Sequence, residues 1–129
     1  MDNPMKMNKP GRTGPARILD AYKYSLKGLR AAWRHEEAFR QESMLALIML
    51  PVAIWLGTNA SQRSILIITV VLVVIVELIN SAIEAVVDRI STSHHPLSGQ
   101  AKDIGSAAVM LSLLLCASCW TMIAVERFL

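Results

Sequence analysis

Five polar side chains recur at helical spacing within an otherwise apolar stretch of the sequence. Their offsets of 0, 3, 4, 7 and 11 residues place Glu77, Asn80, Ser81, Glu84 and Asp88 on one face of an α-helix. Because a helix rises about 1.5 Å per residue, Glu77 lies roughly 10 Å from Glu84 along the axis, and Asp88 lies roughly 6 Å beyond Glu84. The carboxylates on this face are candidates for a proton acceptor and for metal ligands.

Ionised groups in an apolar segment are energetically unfavourable. A charged side chain in hydrocarbon costs on the order of several kcal/mol unless it is compensated, so we expect this face to be turned toward protein. Besides a catalytic role, Glu77 fits a hydrogen bond between helices or a proton site in a transporter. Glu84 also fits a purely structural ion pair, and Asp88 with Arg89 also fits a solvated helix end.

Polar residues of two other segments are expected at a matching depth. Glu36, Gln41 and Glu42 open the first apolar segment, and Lys102 and Asp103 open the third. Carboxylates at two levels can hold Mg²⁺ and accept a proton, and phosphoryl transfer requires mainly positioning, a metal ion and charge neutralisation. The sequence has no P-loop and no protein-kinase motif, so ATP would bind in an unusual way.

Three long apolar segments predict an all-α membrane protein. The chain has 129 residues, of which 53% are hydrophobic and 18% charged, whereas a soluble domain of this size has more polar surface. Pro51 is expected to kink the first span or to loosen one of its turns. The predicted membrane domain covers 35–129, with spans at about 36–56, 62–90 and 99–128, a turn at 57–61 and a loop at 91–98.

The N-terminal part of the chain is polar and basic. Residues 1–15 predict a flexible cytoplasmic tail, since they are rich in Pro, Gly, Asn and Lys. Residues 16–34 predict an amphipathic helix that lies in the membrane interface, with an ordinary helix on a soluble core as the alternative. Its apolar side carries Ile18, Tyr22, Leu26, Leu29 and Trp33.

The distribution of charge predicts the topology. Eleven of the thirteen Lys and Arg residues lie in or next to the tail, the amphipathic helix and the 91–102 segment. The N-terminus and the 91–98 loop are therefore expected in the cytoplasm, and the C-terminus outside. No cleavable signal peptide is apparent, so the spans themselves are expected to direct insertion. No nucleic-acid-binding motif accompanies the positive charge, and Cys116 and Cys119 are interpreted as small packing residues.

The sequence resembles the prokaryotic integral-membrane diacylglycerol kinases from about residue 16 to the C-terminus. The twelve-residue run from Glu77 to Asp88, ELINSAIEAVVD, is similar to the family signature. Further segments agree in order and spacing: Tyr24–Leu29, Ala32-Trp33, Glu36, Phe39–Glu42 and Ala101–Ala107.

The resemblance implies a homotrimer of three-span subunits in the bacterial cytoplasmic (inner) membrane. It implies transfer of the γ-phosphate of ATP, with Mg²⁺, to the primary hydroxyl of diacylglycerol, which gives phosphatidic acid. Glu77 matches the general base, and Glu36 and Glu84 match metal-binding carboxylates that also contact ATP. The other implied nucleotide contacts are Arg17, Tyr24, Ser93, His94, His95, Lys102 and Asp103. The implied lipid contacts are Arg30, Trp33, Gln41, Glu42, Glu77, Asn80 and Ser106.

Two other functions remain open from the sequence. An undecaprenol kinase would perform the same chemistry on a polyprenyl alcohol, because both lipids present a primary hydroxyl. A non-catalytic helical membrane subunit would use the carboxylates only for structure. The role of Asp88 is also open, and the bulky Tyr22 and Lys23, Pro51 and the His94-His95 pair depart from the family pattern.

Overall fold

The computed structural model describes residues 12–129, which form four α-helices joined by short connections. The predicted tail lies mostly outside the described residues. The helices are α1 (Pro15–His35), α2 (Glu37–Leu56), α3 (Ala60–Ile90) and α4 (Pro96–Phe128). The last three are long and apolar enough to cross a membrane, so the prediction of an all-helical, multi-pass membrane protein is confirmed.

The helix starts follow local chemistry. Pro occupies the first turn of α1 and of α4, where its missing N–H removes no hydrogen bond. The Asn59 side chain accepts a hydrogen bond from the Gln62 N–H at 2.9 Å, and His95 Nδ1 accepts one from the Leu97 N–H at 3.1 Å. Both connections are therefore shorter than predicted. The turn predicted at 57–61 ends at Asn59, and the loop predicted at 91–98 ends at His95.

A single residue separates α1 from α2. Glu36 has extended backbone angles (φ −116°, ψ 106°), and its N–H donates to the Ala32 carbonyl at 2.9 Å. Arg40 Nη1 donates to the carbonyls of Trp33 and Arg34, at 2.8 and 3.2 Å, and so satisfies the end of α1. α2 then continues as a helix through Pro51.

Helix α3 occupies the centre of the bundle and packs against α2 on one side and α4 on the other. Leu66 is fully buried beside Ala53, Leu56 and Ile123. Farther along α3, Val70 and Val73 pack against Cys116. Both cysteines are free thiols. Many large apolar side chains on the outer faces of the bundle are exposed, as is typical of surfaces that contact lipid.

The start of α1 carries an exposed ion pair. The Arg12 guanidinium donates two hydrogen bonds to the Asp20 carboxylate, one of them at 2.8 Å. This contact holds the pKa of the Asp20 carboxyl below its ordinary value.

Candidate functional site

The polar face of α3 is graded from buried to exposed along the helix. Glu77, Asn80 and Ser81 are 5%, 8% and 7% exposed. Glu84 is half-buried and Asp88 is exposed. All five residues lie in the second half of α3, which runs into the 91–95 connection. The innermost carboxylate is therefore enclosed by protein, and the outer ones face an open boundary.

Three other carboxylates, from α2, α3 and the junction before α2, interact electrostatically with Glu77. The charges of Glu36 and Glu84 act on Glu77, and the charge of Glu77 acts on Glu42. Glu42 Oε2 is buried without a hydrogen-bond partner. Such a concentration of negative groups is destabilising unless cations or protons compensate it. The arrangement therefore suits a site that binds a metal ion or exchanges protons.

Asn80 connects this region to α4. Its Nδ2 donates to Glu84 Oε1 at 3.4 Å. Its Oδ1 is buried, has no hydrogen-bond partner, and faces the buried Gly105 of α4 so closely that a Cβ at Gly105 would collide with it. Sequence reasoning missed Gly105, although it lies within a segment that matches the family, because a glycine offers no side chain to interpret.

Asp88 forms an ion pair with α4. Lys102 Nζ lies 2.7 Å from Asp88 Oδ1, and both side chains are about half exposed. The charge of Lys102 also reaches Glu84. Asp88 is therefore a partnered carboxylate that fixes the position of Lys102, and the interpretation as a merely solvated helix end is incomplete.

A cleft of about 560 Å³ separates α1 from α3. Its surface is mostly apolar and formed by small side chains, and Glu36 and Ser81 bring a carboxylate and a hydroxyl to it. Its width follows from the small residues on both helices, since larger side chains would fill the space. The lining residues are Ser25, Gly28, Leu29, Ala31, Ala32, His35, Glu36, Leu78, Ser81, Ala82 and Ala85.

The other residues predicted to contact the nucleotide lie on exposed surfaces. Arg17 and Tyr24 are on α1, and Asp103 is on α4. In the connection before α4, the Ser93 N–H donates to Ser91 Oγ at 3.0 Å, His94 is exposed, and His95 caps α4. Within residues 12–129, no hydrogen bond or ion pair joins Arg17, Tyr24, Ser93, His94, His95 or Asp103 to Glu36, Glu77 or Glu84.

The residues predicted to contact the lipid divide into two groups. Asn80, Glu77 and Glu42 lie in the interior described above. The remaining four, Arg30, Trp33, Gln41 and Ser106, are exposed. Gln41 Nε2 donates to Glu37 Oε1 at 3.3 Å on the first turns of α2.

The donor chemistry of Glu36 and Glu84 suits Mg²⁺, which prefers oxygen ligands. Among the described residues, no group of three or more His, Cys, Asp or Glu side chains is close enough together to hold a metal ion. Mg²⁺ at phosphoryl-transfer sites is commonly held by one or two carboxylates together with phosphate oxygens and water. The two carboxylates therefore fit a metal that arrives with a nucleotide better than a site made of protein ligands alone.

Comparison with known proteins identifies the family of the chain. A family model described as "Prokaryotic diacylglycerol kinase" matches residues 23–124. The chain is 51% identical to the diacylglycerol kinase of Escherichia coli over 116 residues, which are 90% of this chain and 95% of that protein. It is 49% identical to the Pseudomonas aeruginosa enzyme over 113 residues (88% and 92%) and 45% identical to the Haemophilus influenzae enzyme over 108 residues (84% and 92%). The chain belongs to the prokaryotic diacylglycerol kinase family.

Proposed function

We propose that this chain is an ATP-dependent diacylglycerol kinase that transfers the γ-phosphate of ATP to the primary hydroxyl of the lipid and yields phosphatidic acid. The observation that carries the proposal is the buried Glu77 with three further carboxylates around it, on helices able to cross a membrane. The curated relatives, which match most of the chain, are named diacylglycerol kinases.

Glu77 acts as the general base. It is the most buried carboxylate of α3. As the lipid oxygen attacks the γ-phosphorus, Glu77 takes its proton. The new P–O bond forms while the bond from the γ-phosphorus to the bridging oxygen breaks, and ADP leaves.

Glu36 and Glu84 hold Mg²⁺ together with ATP. When bound, the ion neutralises charge on the phosphates. Asn80 orients Glu84 through the 3.4 Å hydrogen bond, and Lys102 brings a positive charge beside the same carboxylate. Arg17, Tyr24, Ser93, His94, His95 and Asp103 complete the nucleotide site.

The lipid lies beside α1, which rests in the membrane interface. The cleft between α1 and α3 is apolar enough for a lipid and brings it to Glu36 and Ser81. Arg30, Trp33, Gln41, Glu42 and Ser106 contact the head region of the substrate. The large exposed apolar side chains of α1, among them Ile18, Tyr22 and Trp33, support a position in the interface.

The active form is a homotrimer in the bacterial inner membrane. A single subunit exposes Arg17, Tyr24 and Asp103 without bonding them to the central carboxylates, and three thin helices enclose a site poorly, so neighbouring subunits complete it. The charge distribution supports a topology with the N-terminus and the connection before α4 in the cytoplasm and the C-terminus outside.

The decisive experiment is a kinase assay with the purified protein in bicelles. We expect Mg·ATP to be consumed only when dioleoylglycerol is present, with labelled phosphate appearing in phosphatidic acid. A side-by-side assay with undecaprenol tests the substrate, and a clear preference for the polyprenol would overturn the diacylglycerol assignment. Absence of both phosphoryl transfer and ATP-analogue binding by calorimetry would instead indicate a non-catalytic subunit.

A further inference from the structure

The Ser81 hydroxyl differs from the two other helical hydroxyls that are buried to a similar extent. Ser and Thr side chains inside helices commonly donate to a carbonyl of the preceding turn. Thr69 and Ser112, which are buried to the same extent as Ser81, do so at 2.9 Å to Ile65 and 2.7 Å to Val109. Ser81 Oγ, in contrast, has no hydrogen-bond partner. A hydroxyl that is buried without a partner has lost its hydrogen bonds to water and has formed none within the protein, which is energetically unfavourable.

The position of Ser81 indicates what satisfies this hydroxyl. Ser81 is 7% exposed and lines the apolar cleft between α1 and α3. The cleft contains two ionisable side chains, Glu36 and His35. The other hydroxyl of the lining, Ser25, already donates to the Ala21 carbonyl at 2.8 Å. A ligand that enters this cleft therefore meets mostly apolar walls and the hydroxyl of Ser81, which suits an apolar molecule that carries a neutral acceptor.

Helical geometry relates Ser81 to the proposed base. Glu77 is four residues earlier on the same face, which corresponds to about 6 Å along the axis. Diacylglycerol has its reactive hydroxyl and its ester carbonyl oxygens a few bonds apart, which spans a similar length. A polyprenyl alcohol has a hydroxyl but no carbonyl.

We propose that Ser81 is a specificity-determining residue that donates a hydrogen bond to an ester carbonyl oxygen of diacylglycerol in the cleft between α1 and α3. This inference rests on the proposed kinase function. It adds a reason why the enzyme would phosphorylate ester lipids in preference to simple alcohols. Ser81 Oγ is covered by its surroundings, so the bond forms when the side chain turns to another staggered rotamer as the lipid enters.

The test combines a change in the protein with a matching change in the lipid. Initial rates are measured for the unmodified protein and for Ser81→Ala, each with dioleoylglycerol and with the dialkyl ether analogue, which lacks both carbonyls. We expect Ser81→Ala to lower kcat/KM for the ester about five- to tenfold, through a higher KM for the lipid. For the ether the two proteins should agree within about twofold, and the KM for ATP should not change.

Ser112→Ala serves as the matched control, since Ser112 is equally buried but already bonded within α4. It should leave the preference for ester over ether unchanged. An equal loss on both lipids, or no loss on either, would overturn the role of Ser81 while leaving the kinase intact. Failure of the unmodified protein to phosphorylate either lipid would overturn the proposed function and this assignment with it.

Discussion

Polar side chains at the two ends of the helical bundle differ in their hydrogen bonding. At the end where α2 meets α3, Arg63 Nε donates to the Ile54 carbonyl at 3.0 Å, and Gln62 Nε2 donates to Glu126 Oε2 at 3.0 Å. Arg127 Nη1 donates to the Leu56 carbonyl at 3.3 Å, and its guanidinium lies over the ring of Trp55. Polar groups there close the ends of helices.

At the other end, buried polar atoms lack partners. The unpartnered atoms among the described residues are Glu42 Oε2, Ser43 Oγ, Asn80 Oδ1 and Ser81 Oγ, and they belong to two adjacent pairs on α2 and α3. Since a buried polar atom without a partner is unfavourable, a group of them in one place supports the proposed binding site. The contrast distinguishes polar side chains that stabilise the helices from polar side chains that belong to the proposed site.

The sharpest test of this contrast replaces one carboxylate at each end. Glu77→Gln should lower kcat about 10²- to 10⁴-fold, because the amide cannot accept the hydroxyl proton. Glu126→Gln keeps a side-chain oxygen for Gln62 and should leave kcat unchanged. Both are measured by phosphate transfer to dioleoylglycerol. Full activity of the Glu77 variant would remove it from the mechanism.

A second test alters the contact between α3 and α4 at the functional end. Gly105→Ala places a methyl group against Asn80 Oδ1, which should cost about 1–3 kcal/mol of stability. Because Asn80 then moves away from Glu84, the Mg²⁺ concentration for half-maximal activity should rise. Gly99→Ala is the control, since a Cβ there meets nothing within 4 Å. An unchanged Mg²⁺ dependence in the folded Gly105 variant would argue against coupling through Asn80.

A third test weakens the structural end alone. Arg127→Ala removes the hydrogen bond to Leu56 and the contact with the Trp55 ring. We expect a loss of about 1–2 kcal/mol in the free energy of unfolding, measured by thermal denaturation in detergent. The kcat of the remaining folded protein should stay constant. A large fall in kcat without loss of stability would contradict the division between the two ends.

The smallest effect is expected at Asp88. Its ion pair with Lys102 is half exposed, and such pairs contribute about 0–1 kcal/mol. Asp88→Asn should therefore leave the unfolding transition almost unchanged and reduce kcat/KM for ATP at most about fivefold, because Lys102 loses its fixed position. Steady-state kinetics with varied ATP measures this. A loss comparable to that of Glu77→Gln would make Asp88 part of the catalytic centre itself.

The sequence was most informative about features that depend on a single helix. The 3.6-residue period placed Glu77, Asn80 and Ser81 on one buried face, and the long apolar runs predicted three spans. Features that depend on how two helices meet were not accessible in the same way. The role of Gly105 requires the rotation of α4 relative to α3, and the partner of Asp88 requires their register. The start of α4 at Pro96 was missed because His95 and Pro96 also fit a loop.

The one-residue junction at Glu36 has a mechanical consequence. Its extended backbone alone separates α1 from α2. Helix α1 has 21 residues and is therefore about 30 Å long. The proposed metal ligand Glu36 directly follows the C-terminal end of this helix. With α1 in the proposed interfacial position, a change in its tilt would displace the Glu36 carboxylate at the junction.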